Sequence, residues 1–186
     1  IDQSLTRVMR RWKQPLPVLS KRLELFCKMQ TNNVVVVVAE TGSGKSTQVH
    51  QYLADDLSSI VVKDKGKFPR VVCTQPRRMA ATNIAKRVAE EYGAPYEGNE
   101  ENWVGYRIGR RGGADITECA NVSSQTRIEF VTEGLLLMKL RYIPDADDYD
   151  CVIIDEAHER GKDTDLLLVH MRKLIQERRR GDNFKV

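Results

Sequence analysis

Five consecutive valines, Val34 to Val38, run into Ala39-Glu40-Thr41-Gly42-Ser43-Gly44-Lys45-Ser46-Thr47, and no other stretch of the chain narrows the possible folds as much. β-branched residues favour extended backbone and pack well on a pleated surface. A run that is apolar at every position predicts a strand covered on both faces, the setting of a central strand in a parallel sheet. Glycines at 42 and 44 then permit a sharp turn, and a helix is expected over 45–56. A strand, a glycine-rich turn and a helix start, in that order, form a cradle for phosphate. Bare backbone amides and the positive end of the helix dipole face the anion together. In such a cradle Lys45 is suited to neutralise the β- and γ-phosphates of ATP, and the Ser46 hydroxyl to complete the shell of Mg2+. Glu40, Thr41, Gly42, Ser43, Gly44 and Thr47 make up the rest of the nucleotide-binding loop. The pattern usually opens on glycine; Ala39 stands there instead, and the Gly44-Lys45-Ser46 end is intact.

The remaining chain alternates between two periods. Continuous apolar runs predict further strands over 70–74, 103–108, 126–131 and 151–155, and helical spacing predicts helices over 18–30, 79–92, 134–142 and 163–178. Gly93 and Pro95 close the helix at 79–92. The polar stretches 58–67 and 93–102 read as loops, and 109–124, rich in Gly, Arg and Ser, reads as a long turn or a flexible insert. Strands alternating with helices give an α/β fold, a doubly wound, mostly parallel sheet flanked by helices. The length of 186 residues suits one domain over 18–186, preceded by a basic extension over 1–17 that ends in Pro15-Leu16-Pro17. With 41% hydrophobic and 30% charged residues the chain can bury a core, which sets aside disordered and fibrous classes. Its longest apolar run, 34–39, falls far short of the roughly 20 residues that span a bilayer, so no membrane partner is expected. Cys73 and Cys151 sit inside apolar runs and no C-x-x-C pair occurs, the usage of reduced thiols in an intracellular protein. A net charge of +4 leans only mildly toward anionic partners.

A second chemical signal is Cys151-Val152-Ile153-Ile154-Asp155-Glu156-Ala157-His158. Four apolar residues lead into adjacent carboxylates, and ligands of parallel sheets collect at the carboxyl ends of strands. Asp155 and Glu156 therefore belong with the phosphate loop as metal-associated groups. Asp155 is read as holding Mg2+ through its water, and Glu156 as orienting and deprotonating the attacking water. His158 is either structural or a relay to another domain.

Asp155-Glu156-Ala157-His158, followed by Glu159-Arg160, resembles motif II of the DEAH-box ATPases of helicase superfamily two. Ala39–Thr47 resembles motif I of that family, Thr74-Gln75-Pro76-Arg77-Arg78-Met79-Ala80-Ala81 its motif Ia, and Thr132-Glu133-Gly134-Leu135-Leu136 its motif Ib, where the family commonly carries Asp in place of Glu133. The similarity covers about residues 15–186. It implies the first RecA-like domain of a P-loop ATPase that uses ATP and Mg2+ to remodel RNA, with Lys45, Asp155, Glu156 and His158 as catalytic residues. It also implies that Arg77, Arg78 and Thr132 meet single-stranded RNA and that Arg87 stacks on adenine; a solvated pair and a helix-surface arginine are the plainer readings. The slot of a further RNA-contacting arginine falls on Gly109, beside Arg110 and Arg111. The resemblance further implies a second RecA-like domain and C-terminal domains beyond the residues given, an incomplete C-terminal end to the first, a possible protein activator, and a nuclear location in preference to a cytoplasmic one. A DNA-directed or viral superfamily-two helicase, and a degenerate ATPase fold used as a scaffold, are the rival readings; intact Lys45, Ser46, Asp155 and Glu156 count against the second.

Overall fold

The computed structural model describes residues 15–57, 68–94, 102–112, 115–177 and 179–186, together with Met9 and Lys13. The loops expected at 58–67 and over most of 93–102, and the extension before residue 15, thus lie almost entirely outside the described residues. Five strands form one sheet: β1 (Val71–Gln75), β2 (Val104–Gly112), β3 (Asp115–Asn121), β4 (Ile128–Thr132) and β5 (Cys151–Ile154). Their order is β3-β2-β4-β1-β5. β1 runs parallel to β4 and β5, β2 runs parallel to β4, and β3 is the antiparallel edge. Among the described residues, five α-helices accompany them: α1 (Arg22–Thr31), α2 (Lys45–Asp56), α3 (Arg78–Tyr92), α4 (Glu133–Tyr142) and α5 (Lys162–Gln176).

The two faces of the sheet are covered by different helices, which is why β1 is buried at all five positions. Val71 and Cys73 pack with Phe130 and Cys151 beneath α2 and α3, against Val49, Leu53, Ala85 and Val88. Val72 and Val152 pack with Val131 on the other face beneath α4 and α5, against Leu136, Leu140, Leu167 and Met171. A mostly parallel sheet with helices on both sides is the expected α/β architecture, and the strand ends that matter for chemistry share one edge of it. α3 ends at Gly93 with φ 70°, and its N–H closes on the carbonyls of Ala89 and Glu90. No helix among the described residues is long and apolar enough to cross a membrane.

Among the buried ionisable side chains, Glu129 has cations on several sides. Glu129 of β4 is 2% exposed, with Arg107 at 2.9 Å, Arg70 at 3.5 Å and the Tyr149 hydroxyl donating at 3.1 Å. Cations on several sides offset the desolvation that an isolated carboxylate would suffer there. Burial, and then the neighbouring carboxylate, push the Tyr149 hydroxyl well above its ordinary range, so it stays a donor.

Two expectations fail. Val34–Val38 is not a buried central strand: Val36 is 82% and Val38 92% exposed, and the segment carries no strand. Among the described residues its ladder is confined to two bonds, from the Val35 N–H to the Val186 carbonyl and from the Val186 N–H to the Asn33 carbonyl. β propensity yields a strand only where a neighbour supplies the pairing, and here Val186 alone supplies both of those bonds, while the Lys185 backbone pairs with β5. The stretch 109–124 is not a flexible insert. β2 continues to Gly112, and β3 pairs back on it from Gly112↔Asp115 to Tyr106↔Asn121. Cross-strand pairing overrides a composition that reads as turn.

Gly105 lies where these two strands approach closely. A Cβ there would run into the carbonyl oxygen of Asn121 and the side chain of Val122. Overpacking of this kind typically costs about 1–3 kcal/mol. Gly105→Ala is therefore expected to lower the urea midpoint with little change in slope; an unchanged midpoint would show that the hairpin yields freely.

Candidate nucleotide site

The turn between the valine segment and α2 is shaped by two glycines in the left-handed region, Gly42 at φ 81° and Gly44 at φ 90°. L-residues adopt that backbone at a penalty of roughly 1–2 kcal/mol, whereas glycine does not. The Ser43 N–H returns to the Glu40 carbonyl at 3.2 Å, and the Gly44 carbonyl accepts from the Thr47 and Gln48 N–H groups at 3.2 and 2.9 Å, so the loop closes directly onto the first turn of α2. It is also braced from outside. The Val18 N–H donates to the Ser43 carbonyl at 3.0 Å, and the Leu16 side chain lies against the α-carbon of Gly44.

Facing the loop is the end of β5. Asp155 is 7% exposed; its Oδ1 accepts from the Glu156 N–H at 3.0 Å and its Oδ2 from Gln75 Nε2 at 2.9 Å. Glu156 takes a left-handed backbone, φ 52° and ψ 31°, which breaks the strand and starts a single 3-10 turn. Its carboxylate meets His158 Nδ1 at 3.4 Å, and the His158 side chain is 75% exposed. Lys45, Ser46, Arg87, Asp155, Glu156 and His158 all line one cavity of about 820 Å³ together with residues 39–44 and Thr47. Arg87 sits on α3, where its Nε donates to Glu91 Oε1 at 3.0 Å. The other oxygen of Glu91 accepts from Gln48 and Gln51 of α2 at 2.6 and 3.2 Å.

The donor set fits a metal-bound nucleoside triphosphate. A lysine, a helix start and a hydroxyl stand on one wall and two carboxylates on the other; the Ser43 hydroxyl is buried without a partner among the described residues, and the space beside Gly42 is open. The residues read as RNA-facing lie at the same sheet edge. Gln75 and Thr132 are register partners at the ends of β1 and β4, and the exposed Arg77 and Arg78 follow β1 after Pro76. Glu133, which stands where the family resemblance favours Asp, is buried and accepts from the Thr164 hydroxyl at 2.8 Å, tying α4 to α5.

Three contributors escape a reading of the sequence. Gln75 is hidden in an arginine motif, Glu91 lies four residues past Arg87, and Leu16 precedes the domain proper. Only the spacing of Arg87 and Glu91, suited to an i,i+4 helix pair, was a visible signal.

A loop of this form, set against carboxylates at a parallel strand end on a RecA-like α/β sheet, is the arrangement of the P-loop nucleotide-binding class. The family model of the DEAD/DEAH box helicases matches residues 23–180, and the chain belongs to that family. It is 36% identical over 164 residues to a protein named probable ATP-dependent RNA helicase DHR2 from Saccharomyces cerevisiae, a match covering 88% of this chain and 20% of that relative. It is 38% identical over 167 residues to ATP-dependent RNA helicase DHX29 of Mus musculus, covering 89% of this chain and 12% of the relative. The chain thus spans a fifth or less of these relatives' lengths.

Gly44 offers a direct check on the loop. Alanine there adds left-handed strain and presses its methyl into Leu16. A strain of roughly 1–2 kcal/mol corresponds to about tenfold in affinity. Gly44→Ala is expected to let the free loop relax and so to weaken ADP binding by about that factor in a calorimetric titration; parent affinity would show that the free and bound loops carry the strain equally.

Proposed function

We propose that residues 18–186 form the first RecA-like motor domain of a DEAH-type ATP-dependent RNA helicase, with 1–17 as an extension. The observation that carries this reading is the convergence of Lys45 and Ser46 with Asp155 and Glu156 on one cavity. The loop amides from 42 to 46 and the Lys45 ammonium bind the phosphate chain. Ser46 and Asp155 hold the metal side, Asp155 in an orientation fixed by its two donors. Mg2+ held there by Ser46 and Asp155 would supply positive charge to offset that of the phosphates. Glu156 accepts a proton from the water that attacks the γ-phosphorus in line, and His158 beside it links that carboxylate to the exposed surface. Arg87, steadied by Glu91, offers its guanidinium plane to the base, an interaction that reads no base edge. Arg77, Arg78 and Thr132 grip RNA phosphates at the same edge.

Phosphoryl transfer of this type is completed by an arginine from a facing domain, worth ~10³–10⁵ in rate. The second RecA-like domain, further C-terminal domains and a protein activator are the partners proposed to supply such groups. Residues 1–186 alone are accordingly expected to bind nucleotide, hydrolyse ATP slowly and unwind no duplex.

Two substitutions test the assignment. Lys45→Ala removes the charge on the phosphates and is expected to abolish ADP binding; a titration showing parent affinity would refute the phosphate-loop reading. In the full-length protein, Glu156→Gln keeps size but cannot take a proton. It is expected to leave ATP binding nearly intact and lower turnover by ~10²–10⁴. Parent turnover would place the base elsewhere.

A further inference from the structure

Gln75 occupies the middle of three adjacent strand ends. It closes β1, its register partner on β4 is Thr132, and the β1–β5 ladder ends at Thr74↔Ile154, so the next position on β5 opposite Gln75 is Asp155. The side chain is 5% exposed, and Nε2 donates to Asp155 Oδ2 at 2.9 Å. Asp155 Oδ1 is meanwhile engaged by the Glu156 N–H, so both oxygens have a donor and the carboxylate plane is fixed. The chemistry of the donor matters. A lysine or arginine at 75 would orient Asp155 but also cancel the charge that draws a cation. A neutral amide orients it and leaves that charge in place.

The same residue is two positions from the exposed arginines. Pro76 follows with its φ held by the ring, and Arg77 has extended backbone, φ −123° and ψ 139°, before α3 begins at Arg78. A displacement at Arg77 therefore passes through a short, stiff connection into the end of β1. There, half-buried Thr132 bounds one side and Asp155 the other, and the Gln75–Asp155 bond links the two edges.

We propose that Gln75 is a positioning residue that ties RNA contact at Arg77 and Arg78 to the metal-side carboxylate Asp155. The inference rests on the nucleotide and RNA reading of the site given above. Gln75 touches neither phosphate nor the attacking water. It acts through Asp155, so its removal disturbs the Mg2+-dependent part of nucleotide binding and the response of that part to RNA.

The test uses the full-length protein and the non-hydrolysable analogue AMPPNP, titrated in Mg2+, in EDTA, and in Mg2+ with a single-stranded oligouridine. Gln75→Met preserves volume and removes the amide; Gln75→Leu serves if the Met variant does not fold. Loss of a group that orients a metal ligand typically costs ~10–100-fold in metal affinity or activity. The expected result is a fall of about tenfold in the gain of affinity that Mg2+ confers, with the EDTA arm within about twofold of the parent, where the variant still makes the Gly42–Ser46 contacts. RNA is expected to strengthen AMPPNP binding in the parent and to do so far less in the variant. A Gln75→Met protein that keeps both the Mg2+ gain and the RNA effect, alongside a Lys45→Ala protein that has lost binding, overturns the role of Gln75 and leaves the nucleotide site standing. A Lys45→Ala protein that binds AMPPNP like the parent overturns the site itself, and the role of Gln75 with it.

Discussion

The parallel pairing of β1 with β5 is the constraint on which the candidate site depends. The register Val71↔Cys151 through Thr74↔Ile154 sets the end of one strand beside the end of the other. A slip of one residue would carry Asp155 to the opposite face, because strand side chains alternate with a period of two. Burial forbids the slip. Val71, Cys73 and Cys151 belong beneath α2 and α3, and Val72 and Val152 beneath α4 and α5. An apolar layer on each face makes the register a property of the whole core, and Gln75 and Asp155 inherit their contact from it.

The phosphate loop depends on a different set of contacts, all outside the sheet. Its own backbone holds two left-handed glycines, a conformation with low intrinsic stability. Leu16 and the Val18 N–H brace it on one side. On the other, α2 is tied to α1 by the bidentate Arg22–Asp56 pair at 2.6 and 2.9 Å, and to α3 by Gln48 and Gln51 on Glu91. Those side chains are half-buried or buried, so the pairs are less screened than surface ion pairs usually are. Glu91 spends one oxygen on α2 and the other on Arg87, so the helix that presents the loop and the arginine read as a base platform share a single carboxylate.

What the sequence shows plainly is whatever is decided locally. The apolar runs at 70–74, 126–131 and 151–155 mark strands because burial on both faces leaves no room for alternation, and each is paired as a strand. Gly93 marks the end of α3 because only a left-handed residue suits that cap. The valine run at 34–38 carries the same signal and forms no strand, since pairing is supplied by a neighbour and not by the segment itself. The hairpin of β2 and β3 errs the other way: Gly109, Gly112 and the arginines between them read as turn, yet Gly109 pairs with Glu118 and Gly112 with Asp115. Gln75 is legible only once β1 and β5 are known to be neighbours, 80 positions apart in the chain.

The two adjacent carboxylates differ in a way the sequence does not display. Asp155 directly follows the strand, is buried, and has a donor on each oxygen. Such a group is suited to hold a position, because every displacement breaks a bond in a region of low dielectric. Glu156 leaves the strand through a left-handed backbone, a conformation that costs a non-glycine residue on the order of 1–3 kcal/mol and persists where the surroundings impose it. That turn takes its carboxylate out of the alternation that would have placed it on the α4–α5 face with Ile154, and sets it half-buried beside the exposed His158. A glycine would relieve the strain and lose the carboxylate. The strained residue therefore supplies what the buried one lacks: an oxygen at the cavity wall that is not committed to holding the fold together.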